Sequence, residues 1–368
     1  MSAVSVSNLS KGFGSLKAVQ NFSFDCKDGE LLFILGPSGA GKTTTLMLIA
    51  GLLDPDVGSM LIDGRPITDL QPWERNVSMA FESYALYPHY SVFDNLAFPL
   101  RSPRHSPRLS KEEITKKVGD IANMLQIGEL LHRKPGQLSG GQRQRVSLGR
   151  VLVRNAAVYL LDEPLLHLDA KLRYEMMGEL KNLQNTLNVT MIMVGPDFVE
   201  ALSIANRIVV VDIGMIVQQI GPPDELFERP NNLFVADLIG EPRINMFECD
   251  LLWESETLYL TAEDLKVEVP EQNRQALSRV KEREKVVLGI RAADVKFAEP
   301  ETSRYSAQGV INITEPLGWS TLVECSIGGR ILNLLSDDPK QSPGKEVRLQ
   351  FDPSKLHFFE KSSGIAIY

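Results

Sequence analysis

Apolar and polar residues alternate near the start of the chain, where Val19, Phe22 and Phe24 sit among polar neighbours, and merge into an unbroken apolar run over residues 31–35. Alternation with period two predicts half-buried strands. A short continuous run bounded by turn residues, here Asp28-Gly29 and Gly36, predicts a buried strand. A helical pattern over 46–53 stops at Asp54-Pro55, and Met60-Leu-Ile-Asp-Gly then reads as a short strand with a turn. Charged, helix-forming residues over 111–131 predict a helical insertion, entered through a solvated Pro- and Arg-rich loop over 101–108. Apolar runs over 158–161 and 191–194 flank a helical pattern over 170–187, the spacing of parallel strands in an α/β sheet. Beyond about Pro242 the pattern shortens to alternating segments such as Thr257-Leu-Tyr-Leu, Val286-Val-Leu-Gly-Ile, Thr321-Leu-Val-Glu-Cys and Val347-Arg-Leu-Gln-Phe. Those segments predict a small β-barrel domain.

Length and composition narrow the class. At 368 residues the chain exceeds one ordinary core, so two domains are expected. With 43% hydrophobic and 23% charged residues it has the material for a folded core. A net charge of -8 argues against a nucleic-acid partner, which would require a basic face. The first residues lack the pattern of a signal peptide, which predicts a cytoplasmic chain. Apolar runs such as 207–220 are broken by Asp212 and Gly214 before they reach membrane-spanning length, so any membrane role is expected to be peripheral. Cys26, Cys249 and Cys325 lack metal-ligand spacing and fit thiols in a reducing compartment.

Three motifs carry chemistry. Gly36-Pro37-Ser38-Gly39-Ala40-Gly41-Lys42-Thr43, followed by Thr44, fits the phosphate-loop pattern between an apolar strand and a helix. Its glycines let backbone N–H groups converge on phosphate oxygens, the helix N-terminus adds its dipole, Lys42 reaches the β and γ phosphates, and Thr43 holds Mg2+. Chance alone produces this pattern in such a chain with a probability on the order of one in a hundred. Val158-Tyr-Leu-Leu-Asp-Glu-Pro ends a buried strand in Asp162 and Glu163, where one carboxylate can hold a metal and its neighbour can orient or activate water; buried strands often end in acids, and it is the phosphate loop upstream that favours this role. Between them lies Leu138-Ser139-Gly140-Gly141-Gln142-Arg-Gln-Arg-Val, where a hydroxyl and glycine N–H groups open a helix. That makes a second anion site, which one chain does not need for its own nucleotide. A second subunit must share it.

With these motifs the sequence resembles the ATP-binding subunits of ABC importers, most closely the maltose-type sugar and polyol group. The likeness extends through Ser83-Tyr-Ala-Leu-Tyr-Pro-His, Leu168-Asp-Ala-Lys-Leu-Arg and Arg229-Pro-Asn-Asn-Leu-Phe-Val-Ala. In the tail, Leu288-Gly-Ile-Arg and Glu315-Pro-Leu-Gly are similar to that group's OB-type (TOBE) barrels. The resemblance implies an α/β phosphate-loop cassette over 1–240, with an antiparallel β subdomain and a helical subdomain over about 83–155, followed by an OB-type β domain over 241–368. It implies a dimer sandwiching two ATP, two membrane-spanning permease subunits, an extracytoplasmic solute-binding protein, and a place at the cytoplasmic face of the membrane. Phe13 matches the aromatic on which adenine stacks, and the segment bearing Tyr84, Tyr87 and Tyr90 matches the docking surface for the membrane subunits.

The chain departs from this pattern at several positions. Glu82 stands where the family has a Gln that meets the metal and attacking water; its carboxylate can still accept from metal-bound water but adds negative charge beside Asp162 and Glu163. Gly195-Pro196-Asp197 replaces Thr-His-Asp, and Pro196 has neither a side-chain donor nor an N–H. His167, with Leu166 and Asp169 in the loop that crosses the dimer interface, is the one histidine placed to substitute, although an interface role without chemistry also fits it. His89, His105, His132 and His357 fall elsewhere. Three functions therefore remain: a homodimeric ATPase, a partly degenerate member of a heterodimer, and a nucleotide-responsive protein whose barrels bind a regulator.

Overall fold

The computed structural model describes residues 2–102, 108–263, 265–280, 285–298, 305–338 and 342–368. Most of the expected solvated loop, with His105, lies outside them. The chain divides into two units, Met1–Pro223 and Asp224–Tyr368.

In the first unit β1 (Ser2–Phe13) and β2 (Leu16–Lys27) form a long hairpin, followed by β3 (Leu31–Leu35), α1 (Lys42–Ala50), β4 (Val57–Ile62), β5 (Arg65–Pro66) and β6 (Val77–Ala80). Helices α2 (Val92–Ala97), α3 (Lys111–Met124) and α4 (Gly140–Leu152) form the insertion, and β7 (Val158–Asp162), α5 (Ala170–Leu187), β8 (Thr190–Gly195), α6 (Phe198–Ile204), β9 (Arg207–Asp212) and β10 (Ile216–Gly221) complete the unit. One sheet has the order β10-β9-β3-β8-β7-β6, parallel except for the β9–β10 hairpin; the other, β2-β1-β4-β5, is antiparallel. Every residue of β3, β7 and β8 is buried, as unbroken apolar runs require of central parallel strands. Phe22, Leu46, Ile49, Met60, Leu160 and Ile192 belong to one core, which joins both sheets to α1.

Helix α1 begins at Lys42, four residues before the apolar pattern does, because its first turn is polar and faces the loop rather than the core. Its C-terminal end is closed by Gly51 in the left-handed conformation and by buried Arg75, whose guanidinium donates to the Leu48 and Ile49 carbonyls at 2.7 and 3.1 Å. The expected helix over 111–131 ends at Met124; Gln126 has φ +53, and a 3-10 turn follows over Gly128–Leu130.

The second unit comprises α7 (Pro223–Glu228, whose first residue lies in unit one), α8 (Leu233–Leu238), β11 (Asn245–Glu254), β12 (Thr257–Ala262), β13 (Leu265–Glu268), α9 (Glu271–Leu277), β14 (Val286–Ile290), β15 (Val295–Phe297), β16 (Ser306–Pro316), β17 (Thr321–Ile327), β18 (Arg330–Ser336), β19 (Glu346–Phe351) and β20 (His357–Glu360). Two antiparallel five-stranded sheets, β13-β12-β11-β14-β20 and β15-β19-β16-β17-β18, share a core that includes Phe247, Leu260, Val323, Phe351 and Phe358. The sequence pattern changes at Pro242, yet α7 and α8 belong with the β-rich unit. Arg291 binds both helices to it by donating to the Phe227 and Ile239 carbonyls. Among the described residues no helix is long and apolar enough to cross a membrane.

Candidate functional site

The phosphate loop leaves the C-terminal end of β3 and opens α1. A Cβ on Gly36 would stand 2.5 Å from the Val211 carbonyl oxygen, and one on Gly41, at φ +109, would meet the Ala18 carbonyl oxygen at 2.1 Å. Only glycine lets the backbone turn this tightly against β2 and β9. Ser38 and Gly39 are exposed at the crest, Ala40 is buried beneath it, and Pro37 and Thr44 are half-buried on its flanks. Lys42 Nζ lies inside the loop, donating to the Gly36 and Pro37 carbonyls at 3.0 and 2.9 Å, with Glu163 Oε1 at 3.8 Å. Burial lowers its pKa, opposed by Glu163, Asp162 and Glu82. A lysine held by neutral carbonyls can exchange them for phosphate oxygens, which are stronger acceptors.

The acids lie at the end of β7. Asp162, 2% exposed, accepts from the Thr43 hydroxyl at 3.0 Å. Burial pushes its pKa up to about 6; the Thr43 hydrogen bond opposes this, while Glu163 and Glu82 add to it. Glu163 has φ +44, a conformation disfavoured for a residue with a side chain, and its N–H donates to the Val194 carbonyl at 3.1 Å. Burial raises its carboxyl pKa too, Lys42 opposes, Glu82 raises it further and His167 lowers it. Exposed Glu82 is thus near enough to contribute to the shifts of Lys42, Asp162 and Glu163.

Residues 195–197, called here the switch segment, adjoin the loop directly. Gly36 donates its N–H to the Gly195 carbonyl at 3.3 Å, which places half-buried Pro196 beside the cradle. Asp197 then caps α6, accepting from the Val199 and Glu200 N–H groups at 2.8 and 3.3 Å. His167 is exposed, its ring edge-on to Tyr84 at 5.6 Å, and Asp169 caps α5 by accepting from Leu172 N at 3.0 Å. Phe13 occupies the tip of the β1–β2 hairpin opposite Leu16 and is 47% exposed.

Ser139 forms a reciprocal cap on α4: its hydroxyl accepts from Gln142 N at 3.3 Å and the Gln142 side chain accepts from Ser139 N at 2.9 Å. Gly140 and Gly141 occupy the first helical turn, where N–H groups have no partner within the helix. The Ser139 hydroxyl and the glycine N–H groups thus lie together at the N-terminus of α4.

Residues 19–166 match the ABC transporter family and residues 288–359 match the TOBE domain. The trehalose/maltose import ATP-binding protein MalK of Thermococcus litoralis is 40% identical over 380 residues, covering 100% of both chains. The chain belongs to the ABC transporter ATP-binding subunits. The sn-glycerol-3-phosphate import ATP-binding protein UgpC of Cereibacter sphaeroides is 38% identical, with 99% of each chain covered. Among solved structures, the dimeric ATP-binding cassette MJ0796, bound to ADP and Pi after hydrolysis, matches at a TM-score of 0.56 and 30% identity, covering 60% of this chain and 98% of its own.

Within this ABC cassette the structure adds residues that sequence reasoning passed over. Buried Gln144, on α4, which opens with the signature Leu138–Gln142, reaches the Glu163 carbonyl at 3.4 Å. Arg173 joins the Leu168 carbonyl at 3.3 Å to Asp197 at 3.5 Å and Glu200 at 3.7 Å, linking the interface loop to the switch segment. Tyr84 and Ala85 both have positive φ, and Ser147 and Arg150 donate to their carbonyls. The run Gln-Arg-Gln-Arg after the signature is polar where a helix needs only one polar face, and that excess was the available signal for Gln144.

Proposed function

We propose that this chain drives import of a small sugar, polyol or sugar phosphate, and that its own site binds ATP with Mg2+ but turns it over slowly. Its signature would then complete the nucleotide site of a different cassette subunit. Pro196 carries this reading: it adjoins the Gly195 carbonyl that receives the Gly36 N–H, and it offers no donor to a phosphate or water there. The elements for binding are complete, with Gly36 to Thr44 as cradle, Phe13 for the base and Ser139 to Gln142 for a partner's phosphates. The solute class rests on the relatives named for trehalose/maltose and sn-glycerol-3-phosphate import.

Thr43 and Asp162 suit Mg2+, which keeps most of its shell as water and phosphate oxygens and takes few protein ligands. Among the described residues no cluster of three or more acidic, His or Cys side chains offers a complete metal cage, so a substrate-borne ion fits better than a resident one. The bound ion would neutralise phosphate charge. Glu82 would accept from its water shell, and Glu163 would hold the attacking water.

Tyr87, Tyr90 and Phe98 pack together with ring centroids 4.6 to 6.0 Å apart, beside a cavity of about 450 Å3 that Trp73 and Arg150 also line. This exposed aromatic cluster suits docking of two membrane-spanning permease subunits, with an extracytoplasmic solute-binding protein completing the complex and this chain peripheral at the cytoplasmic face.

The purified chain is expected to bind Mg-ATP but hydrolyse it slowly, and Pro196→His to raise turnover on the order of a hundredfold. Fast turnover by the unaltered chain alone would sink the proposal. One observation favours a homodimer with two active sites instead, namely that His167 acts electrostatically on Glu163. On that reading His167→Asn lowers turnover; on the proposed one it changes little.

A further inference from the structure

A cavity of about 590 Å3 opens within the C-terminal unit, lined by charged and polar side chains as well as Phe227 and Leu356. Arg291 lies in its wall, 4% exposed, and uses Nε and one terminal nitrogen on the Phe227 carbonyl and the other on the Ile239 carbonyl. Three of its five N–H groups are thus engaged. No carboxylate of a described residue lies within ion-pair distance; the guanidinium lies 3.8 Å over the Phe227 ring and Asp294 acts on it only at longer range. His357, 7% exposed and paired through its backbone with Gly289, also lines the cavity, and its side chain makes no hydrogen bond to a described residue. Burial, then Arg291 and Lys355, drives its pKa down to about 4, which leaves a neutral imidazole in a positive field. Its ring nitrogens are not among the wholly buried, unbonded atoms of the described residues, so they are open to the cavity and able to bond a molecule there.

The remaining wall supplies complementary groups. Lys355 reaches in, 3.3 Å from Glu228. Asp294 presents a carboxylate that makes no hydrogen bond to a described residue, and Asn273 presents an amide. Buried cationic and imidazole donors beside a carboxylate and an amide match an anionic group carried on a polyhydroxylated body. We propose that this cavity binds a small phosphorylated sugar or polyol, with phosphate against Arg291, His357 and Lys355 and hydroxyls against Asp294 and Asn273. The site lies outside the nucleotide cradle and stands whether or not the chain hydrolyses ATP.

The test is calorimetric titration of the full chain, its phosphate loop first saturated with AMP-PNP so that no probe binds there. Glucose 6-phosphate, inorganic phosphate and glucose are the probes. Glucose 6-phosphate is expected to bind, phosphate more weakly and glucose not at all. Lys355→Gln and His357→Phe should each weaken glucose 6-phosphate by roughly tenfold or more. Arg291 also holds two backbone carbonyls, so its removal endangers the fold; Lys355 is half-exposed and its variant keeps the test valid. Absence of glucose 6-phosphate binding, or binding unchanged in both variants, would overturn the proposal. Phosphate binding as tightly as the sugar phosphate would remove the role of Asp294 and Asn273, and glucose binding equally well would remove the role of the cations.

Discussion

Glu163 and Glu200 are both carboxyls made reluctant to ionise, for different purposes. Glu163 is held in a strained backbone at φ +44 with Lys42 3.8 Å away, so its charge is partly committed to the lysine that phosphate would otherwise claim. Glu163→Gln is therefore expected to abolish residual turnover while tightening ATP binding, measured by nucleotide titration beside a phosphate-release assay. Glu200 is 5% exposed beneath the switch segment, and burial raises its pKa to about 7, with Asp197 and Glu163 adding and Arg173 opposing. That value lies above the ordinary 4.5, so between the two the folded chain holds a proton that the unfolded chain has released. The contribution to stability is full at low pH and is lost as pH rises through about 7. In Glu200→Gln it is absent at every pH. The melting temperature of the wild type, taken relative to this variant, should fall between about pH 4.5 and about pH 7 and level off above it; a difference independent of pH would show that Glu200 does not titrate there.

Helix α4 starts at the signature, and its cap serves both fold and site. Ser139→Ala removes the acceptor for Gln142 N and should cost about 1 kcal/mol of stability. Ser139→Asp keeps a good cap, so thermal unfolding should stay near wild type, while its carboxylate repels a partner's phosphate and ATP-driven association is lost. The two variants separate helix from site, by unfolding and by sedimentation with ATP. Much at this scale was legible in the sequence: β3, the loop, β7, α5 and β8 fall where unbroken apolar runs and the glycine pattern put them. Legibility failed where a polar turn serves a ligand, as at Lys42 to Thr45, which hid the true start of α1. It failed again for α7 and α8, whose attachment depends on Arg291, some sixty residues away. The contacts of Arg173 with Asp197 and Glu200, and of Tyr84 with His167, join separate motifs, and no local pattern encodes such long-range pairs.

Across the whole cassette, the proposed function gives the phosphate loop and the signature of one chain unequal chemistry. The phosphate loop stands beside Pro196, which lacks a donor, whereas the signature keeps its full cap and both glycines. In a heterodimer the signature of this chain acts on the partner's nucleotide and Glu163 on its own. Loss of the signature would then strike the site that turns over, and loss of Glu163 the site that does not. Transport by the assembled complex is therefore expected to fall far more in Ser139→Asp than in Glu163→Gln, measured as solute uptake in proteoliposomes at saturating ATP. The Asp variant is the right one because its retained cap keeps helix stability out of the comparison. In a homodimer each variant damages both sites, and uptake should fall equally. Equal loss would transfer catalytic weight back to Glu163, and with it to His167 as the group that replaces the missing histidine.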